Sequence, residues 1–258
     1  MFIQPVFGNP ALIIKSSENI LVIADIHLGI EHEFRMGGLK IKSQTEELKN
    51  KIIDLINDFK IERLILLGDI KHNIPTIPKQ EIREIPSFLE ALTSFTKVEI
   101  LPGNHDGGID KLTPPGVEIR DRRGIMIDEK IGLLHGQTWP KPELFESEIL
   151  IIGHNHPKIK FKDELGGSSK EPAWIRSKVD RKILMQSYPQ KRREEYFSVR
   201  LEEVMIMPAF NPLVGGIYFN KINQEELLGP ILRAGCLKLN EADVYLLDGT
   251  YLGKVNNL

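Results

Sequence analysis

The chain has 258 residues and carries 34 Lys and Arg against 36 Asp and Glu, a formal net charge of −2. This balance excludes a uniformly cationic protein, so contact with nucleic acid requires a local basic patch, and the length is sufficient for a large core without disulfides. Since Cys236 is the single cysteine and no uncharged apolar run approaches the roughly 20 residues of a membrane span, we expect a cytoplasmic globular protein without membrane contact.

The first part of the chain predicts alternating strands and helices. Short continuous apolar runs are typical of buried strands, and apolar residues at helical spacing predict amphipathic helices. The expected strands are residues 20–24, 64–67 and 98–101, and the expected helices are residues 44–60 and 88–95. Ser43 to Glu46 has the form of a capping box at the start of the first helix. This rhythm favours parallel β-α-β units.

After Pro115 the pattern changes to short strands that follow one another closely. They are expected at residues 117–120, 125–127, 131–134 and 149–152, and again at 204–207, 217–219 and 244–247. The first three leave no room for crossover helices, so we expect antiparallel or mixed pairing. Residues 158–200 hold 12 Lys and Arg against 6 Asp and Glu, a local charge of +6. No linker-like stretch interrupts the chain, which predicts one domain over residues 1–258.

The placement of histidine is the most informative feature of the sequence. Six of the seven histidines follow directly after a predicted strand: His27, His72, His105, His135, His154 and His156. Ligands of open α/β sheets bind at such strand ends. Imidazole, carboxylate and amide oxygen together supply the ligands of divalent ions without thiolates. A lone Asp-x-His pair is weak evidence, but five polar segments in order, each at a strand end, predict one shared metal site.

Motifs in chain order carry a resemblance to the calcineurin-like metallophosphoesterase superfamily. They are Asp25-x-His27, Gly68-Asp69, Gly103-Asn104-His105-Asp106, His135 and Gly153-His154-x-His156. Residues 25–38, 68–72 and 208–216 further resemble the SbcD-related archaeal phosphoesterases and the ligase-associated DNA endonucleases. The resemblance implies an α/β fold, a four-layer α-β-β-α sandwich of two mixed β-sheets flanked by helices. The motif core covers about residues 20–160, and residues 161–258 are expected to complete the domain.

The resemblance also implies the role of each site residue. The first ion would be bound by Asp25, His27 and His156, the second by Asn104, His135 and His154, with Asp69 bridging both. His105 would face the substrate as a general acid or as a stabiliser of charge. His72 stands where many members carry Asp, so it is expected to hold His105, or else to have no direct role. We expect two divalent ions, manganese in preference to iron, zinc or nickel.

The function so implied is hydrolysis of phosphodiester bonds by a hydroxide that bridges the two ions. A DNA nuclease acting in DNA repair, with nucleic acid or nucleotide phosphoester as substrate and a repair protein as partner, fits the subgroup best. One alternative is a phosphomonoesterase or small-nucleotide phosphodiesterase. Another is a metal-binding scaffold without turnover, which the completeness of the ligand set disfavours. The oligomeric state has no signature in the sequence.

Several residues are candidates for substrate contact. Arg35 would bind a phosphate, with a surface ion pair as the alternative, and Asn211 in the tail motif would approach the site. Six basic residues of the +6 segment would bind backbone phosphates, unless the segment is only a solvated loop: Lys178, Arg181, Lys182, Lys191, Arg192 and Arg193. Trp139 and Trp174 would stack on bases or serve as packing residues.

Overall fold

Two mixed β-sheets pack face to face in the computed structural model, which describes residues 2–162, 166–189 and 198–258. The first sheet holds, in spatial order, β1 (Phe2–Pro5), β2 (Ala11–Lys15), β3 (Asn19–Ile23), β4 (Arg63–Leu66), β5 (Lys97–Ile100) and β6 (Val117–Ile119). The pairs β1–β2 and β2–β3 are antiparallel, whereas β3 to β6 run parallel. The carboxyl ends of four strands therefore lie along one edge.

The helices α1 (Glu31–Met36), α2 (Thr45–Phe59) and α3 (Lys79–Thr93) connect strands of the first sheet. Apolar residues of α2 and α3 pack on the outer face of that sheet, against Leu21 and Ile23 of β3. The alternate residues Ile20 and Val22 pack instead against the second sheet. Burial of both faces explains why β3 is a continuous apolar run rather than an alternating one.

The second sheet is formed by the rest of the chain. Its strands are β7 (Ile125–Ile127), β8 (Ile131–Leu134), β9 (Ile149–Ile152), β10 (Lys158–Lys162), β11 (Ser168–Lys178), β12 (Glu203–Ile206), β13 (Asp243–Leu246) and β14 (Tyr251–Lys254). The spatial order is β14-β13-β11-β12-β9-β8-β7, with β10 paired to β11. The strands β8, β9 and β12 run parallel, and the remaining pairs are antiparallel. The short helices α4 (Arg181–Ser187) and α5 (Pro230–Arg233) cover the outer face.

The predicted four-layer α-β-β-α sandwich is thus confirmed, including its mixed pairing, but several local predictions are wrong. Residues 217–219 are not a strand, because Tyr218 makes only an isolated bridge and a 3-10 helix begins at Phe219. The helix expected at 88–95 begins at Lys79 and contains Pro86. The capping box predicted at Ser43 is only half formed: Ser43 Oγ accepts from the Thr45 N–H at 3.3 Å, but the Glu46 carboxylate pairs with Lys49. Among the described residues, no helix is both long and apolar enough to cross a membrane.

Candidate metal centre

Loops from both sheets meet at one edge of the sandwich and bring the predicted polar residues together. Asp25 and His27 follow β3, Asp69 follows β4, and Asn104 and His105 follow β5 in the first sheet. In the second sheet, His135 follows β8, and His154 and His156 follow β9. All of these loops leave the carboxyl ends of parallel strands. The convergence follows from the strand directions, because parallel strands end at a common edge.

One group of side chains can hold a first cation. One ligand atom from each of Asp25, His27, Asp69 and His156 lies within 4.8 Å of all the others. The His156 Nε2 atom is 3.2 Å from Asp25 Oδ1, and the His27 Nε2 atom is 3.6 Å from Asp69 Oδ2. Both nitrogens are buried, and neither has a hydrogen-bond partner among the described residues. Buried imidazole nitrogens without a partner, facing carboxylates, fit a cation between them.

A second group lies beside the first and shares Asp69 with it. Ligand atoms of Asp69, His135 and His154 also lie within 4.8 Å of one another. The His135 Nε2 atom is 3.3 Å from Asp69 Oδ2 and 3.3 Å from Asn104 Oδ1. The other ring nitrogen, Nδ1, lies 3.0 Å from the Leu67 carbonyl oxygen and donates to it, which leaves Nε2 available for a ligand. The shared carboxylate lies where it can contact two neighbouring cations.

The backbone of this site is strained at five of its polar residues. Asp25, His27, Asp69, His154 and His156 have φ values of 58°, 46°, 51°, 69° and 43°. Residues other than glycine rarely adopt this left-handed backbone conformation, which costs on the order of 1 kcal/mol or more for each residue. Such strain collects at functional sites, where the surrounding structure holds it in place. Five of the eight non-glycine residues with positive φ in the described part of the chain thus fall within the candidate site.

Two features hold the loops at this short separation. The buried Asp106 carboxylate accepts hydrogen bonds from the Ile70 N–H at 2.8 Å and the Gly103 N–H at 2.7 Å, and so joins the loops after β4 and β5. Burial raises the pKa of Asp106 to about 6. A Cβ atom at Gly103 would overlap the Asp69 carboxylate, so only glycine allows this approach. Asp106 was not among the predicted site residues, although it stands within the Gly-Asn-His-Asp motif.

The electrostatics of the cluster oppose protonation of two histidines and favour it at a third. Burial lowers the pKa of His27 to about 3 and that of His154 to about 4. Burial also acts to lower the pKa of His135, but the carboxylates of Asp69 and Asp25 outweigh it and raise that pKa to about 9. In turn, burial acts to raise the pKa of both carboxyls, but the surrounding histidines hold both below the usual range. The concentration of negative charge at Asp25 and Asp69 fits a cation.

His105 is oriented by hydrogen bonds to the backbone, and its ring also stacks on the ring of His72, with ring centres 5.6 Å apart. Its Nδ1–H donates to the His72 carbonyl oxygen, and its backbone N–H donates to Asp69 Oδ1 at 2.8 Å. The His105 ring is partly exposed, and its Nε2 atom has no hydrogen-bond partner among the described residues. The structure therefore holds the His105 ring at Nδ1 and leaves its Nε2 atom without a partner among the described residues.

The hydrogen-bonding atoms of the His72 side chain face His27 and Glu33. Its Nδ1 atom lies 3.2 Å from His27 Nδ1, and its Nε2 atom lies 2.5 Å from Glu33 Oε2. One proton arrangement satisfies both contacts: His72 donates from Nε2 to the carboxylate, and His27 donates from Nδ1 to His72. The lone pair of His27 is then on Nε2, which faces Asp69. Sequence reasoning missed Glu33, since nothing in its neighbourhood distinguishes it from a surface acid of α1.

The two residues predicted to contact substrate differ in their surroundings: one is exposed and the other is buried. Arg35 is exposed on α1, and its guanidinium contacts the Gln80 side chain. Asn211 is buried, donates to the Ile26 carbonyl at 2.8 Å and accepts from the Leu213 N–H at 3.0 Å, so its amide braces the His27 loop from behind.

The structure places both tryptophans and three of the six basic residues proposed to contact phosphate. Lys178 and Arg181 pair with the carboxylates of Glu203 and Glu202, and Lys182 lies on α4. The prediction for Lys191, Arg192 and Arg193 lies outside the described residues. Trp174 is 2% exposed between the two sheets, where it is a packing residue. Trp139 is only half-buried, so a role at the surface stays open to it.

Comparisons with known proteins identify the family of this chain and a protein with a similar fold. The family model for calcineurin-like phosphoesterases matches residues 18–211. Nuclease MPE from Pseudomonas putida has a similar structure, with a TM-score of 0.55 and 17% identity over 96% of this chain and 98% of that chain. The E. coli phosphoesterase YfcE matches at a TM-score of 0.34 and 15% identity over 56% of this chain and 73% of that one. An archaeal phosphodiesterase matches at 0.34 and 17% identity over 56% and 78%. No curated protein matches the sequence.

Proposed function

Because this chain belongs to the calcineurin-like phosphoesterase family, and is therefore a metal-dependent phosphoesterase, we propose that it is a dinuclear phosphodiesterase acting on nucleic acid. One observation carries the proposal: two groups of ligand atoms adjoin each other and share the carboxylate of Asp69. A shared carboxylate is what a pair of cations requires to lie close together, and paired cations are the usual catalysts of in-line attack on phosphodiesters.

The proposed ligands divide into two sets around Asp69. Asp25, His27 and His156 form the first set, and Asn104, His135 and His154 form the second. Nitrogen and oxygen ligands without thiolate suit manganese, which we propose as the activating metal. When bound, two such ions would withdraw charge from the phosphoryl oxygens and lower the pKa of a coordinated water, so that hydroxide would be available at neutral pH.

His105 is the proposed proton donor to the leaving oxygen. Its Nδ1–H is committed to the His72 carbonyl, so the Nε2 atom is the one available to the substrate. Proton transfer by a positioned side chain typically contributes about 10²- to 10⁴-fold to the rate. His72 acts as a positioning residue through its carbonyl oxygen toward His105 and through its ring toward His27.

A lysine-rich hairpin beside the site supports a polyanionic substrate over a small one. The strand β10 begins two residues after His156, and its Lys160 lies directly opposite Lys170 of β11. Like charges directly opposite each other destabilise a strand pair, and a bound anion would offset this. Both ammonium groups also lie over the Tyr218 ring, at 5.8 Å and 5.5 Å from its centre. None of the salt bridges formed by the described residues involves either lysine.

Cleavage assays with defined metal test the proposal. Metal-stripped protein is titrated with Mn²⁺ and assayed on single-stranded DNA, double-stranded DNA, bis(p-nitrophenyl) phosphate and p-nitrophenyl phosphate. We expect cleavage of DNA and the diester, a loss of activity in Asp69→Ala, and a loss of about 10²- to 10⁴-fold in kcat in His105→Ala. Asp110→Ala, at an exposed position nearby, is the matched control and keeps wild-type activity.

Other outcomes would favour the alternatives. A strong preference for the monoester would indicate a phosphomonoesterase built on the same site. Binding of Mn²⁺ without hydrolysis of any phosphoester would indicate a metal-binding scaffold. The DNA-repair setting is the cellular role that we propose for a nuclease of this kind, and cleavage of damaged or branched DNA in preference to intact duplex would support it.

A further inference from the structure

A cavity of about 630 Å³ opens directly beside the candidate second metal position. Asn104 and His154, two of the proposed ligands, form one side of it. Its lining also includes Trp139 and, from the C-terminal part of the chain, residues 228–230 and Arg233. This volume is within the range of sites that enclose small ligands, and its position brings any occupant next to a phosphate held at the cluster.

The aromatic wall of the cavity is held in a fixed position. The Trp139 ring packs edge-to-face on Tyr188, with ring centres 5.4 Å apart and an interplanar angle of 85°. The Tyr188 hydroxyl donates to the carbonyl of Pro140, the next residue after Trp139, at 3.1 Å. A half-buried indole supported in this way lines the cavity as a rigid apolar surface of the kind on which a nucleobase stacks.

The other wall is tied to the metal loops although it lies outside the region that matches the family model. The Asn155 side chain, between His154 and His156, donates to the Leu228 carbonyl at 3.2 Å and accepts from the Leu228 N–H at 2.9 Å. A Cβ atom at Gly229 would overlap the carbonyl oxygen of Gly136, so this wall touches the loop after β8. The cavity is therefore a built part of the centre and not an accidental gap.

Arg233 places a positive charge at the rim of the cavity. Its Nε–H donates to the Leu227 carbonyl at 2.7 Å, which fixes the plane of the guanidinium. Its terminal nitrogens make no hydrogen bond or salt bridge with any described residue. A fixed and otherwise unused guanidinium edge matches the paired oxygens of a phosphate.

We propose that this cavity is a nucleoside subsite, in which Trp139 stacks on the base next to the scissile phosphate and Arg233 binds a neighbouring phosphate. The inference rests on the proposed function and narrows its substrate to phosphodiesters that carry a nucleoside. It also gives residues 228–233, which lie beyond the region matched by the family model, a part in substrate selection.

Two chromogenic diesters with the same leaving group test the subsite. Thymidine 5′-(p-nitrophenyl phosphate) carries a nucleoside and methyl p-nitrophenyl phosphate does not, and both release p-nitrophenolate. We expect Trp139→Ala to lower kcat/KM about 5- to 150-fold on the nucleoside ester and less than twofold on the methyl ester. Trp139→Phe keeps a stacking surface and restores most of the loss, which separates stacking from misfolding.

Arg233 is tested on a longer substrate. Arg233→Ala should raise KM for a short oligonucleotide and leave the methyl ester unchanged, whereas Arg233→Lys should recover part of the affinity. Arg122→Ala, an exposed arginine elsewhere, is the control. An unchanged KM in Arg233→Ala would overturn its assignment as a phosphate ligand.

Binding of thymidine 5′-monophosphate, measured by calorimetry in Mn²⁺, separates failure of the subsite from failure of the proposed function. An equal loss on both esters in Trp139→Ala, with unchanged nucleotide binding, would overturn the subsite and leave the phosphodiesterase standing. Hydrolysis of neither ester by the wild-type protein, with nucleotide binding that still depends on Trp139, would overturn the proposed function and support the subsite.

Discussion

Replacement of Asp106 tests how the candidate centre is held together. This buried carboxylate accepts from three backbone N–H groups, those of Ile70 at 2.8 Å, Lys71 at 3.2 Å and Gly103 at 2.7 Å. Hydrogen bonds to a charged acceptor contribute about 1.5–3 kcal/mol each, and the burial of the carboxylate itself opposes part of this gain. We therefore expect Asp106→Ala to lower the free energy of unfolding by about 2–4 kcal/mol.

Asp106→Asn is the informative companion of this variant. Its one remaining carbonyl oxygen still accepts from the N–H groups of Ile70 and Lys71, whereas its amide nitrogen faces the Gly103 N–H. We therefore expect Asp106→Asn to lower the free energy of unfolding by about 1–3 kcal/mol relative to the wild type. Urea denaturation of metal-free protein measures both variants, with Asp110→Ala as the exposed control. Because the loops after β4 and β5 separate, Mn²⁺ binding should weaken in the same order. Asp106→Ala within about 0.5 kcal/mol of the wild type would refute the assignment of Asp106 as the tie between these loops.

Three further predictions follow from contacts outside the metal cluster. Glu33→Gln removes the carboxylate that fixes the ring of His72, and we expect calorimetry to show about 10- to 100-fold weaker Mn²⁺ binding; unchanged affinity would contradict the proton arrangement. Burial acts to raise the pKa of Glu99, but hydrogen bonds from arginines on both sides outweigh it and lower that pKa to about 2 from 4.5. Its stabilisation is therefore complete above about pH 4.5 and lost toward pH 2, so Glu99→Gln should be about 2–3 kcal/mol less stable at pH 7, with the gap closing on acidification. A gap independent of pH would contradict this. Replacing Lys160 and Lys170 together by Ala should reduce the slope of log K for single-stranded DNA against log salt by about 1.4, and an unchanged slope would exclude the hairpin from binding.

The convergence of the candidate ligands was predictable from the sequence because they lie at strand ends, where strand direction determines which loops meet. An apolar run that ends just before Asp25 or Asp69 predicts both the strand and the start of the loop that follows it. The cluster could therefore be predicted without knowledge of any long-range contact. The β-α-β rhythm gave the parallel part of the first sheet for the same reason. Membership in the phosphoesterase family was likewise predictable from these motifs.

What the sequence did not predict depends on contacts between distant segments. Ser43 fits a capping box locally and its Oγ accepts from the Thr45 N–H, but its hydroxyl also donates to Glu84 of α3, and a local pattern does not reveal such a tertiary partner. Glu33 looks like any surface acid until the fold brings it to His72. The wall formed by residues 228–230 is held through Asn155, which is 73 positions away from Leu228 in the chain.

The left-handed backbone at five of the site's polar residues has a consequence for how this protein tolerates change. At about 1 kcal/mol or more each, these conformations together amount to a few kcal/mol, comparable with the whole net stability of a typical domain. Glycine at any of these positions would relieve the backbone strain but remove a side chain that we propose as a metal ligand. The packing of the two sheets therefore holds these five residues in an unfavourable backbone conformation. A substitution that destabilises the core, even far from the site, should first allow these loops to relax.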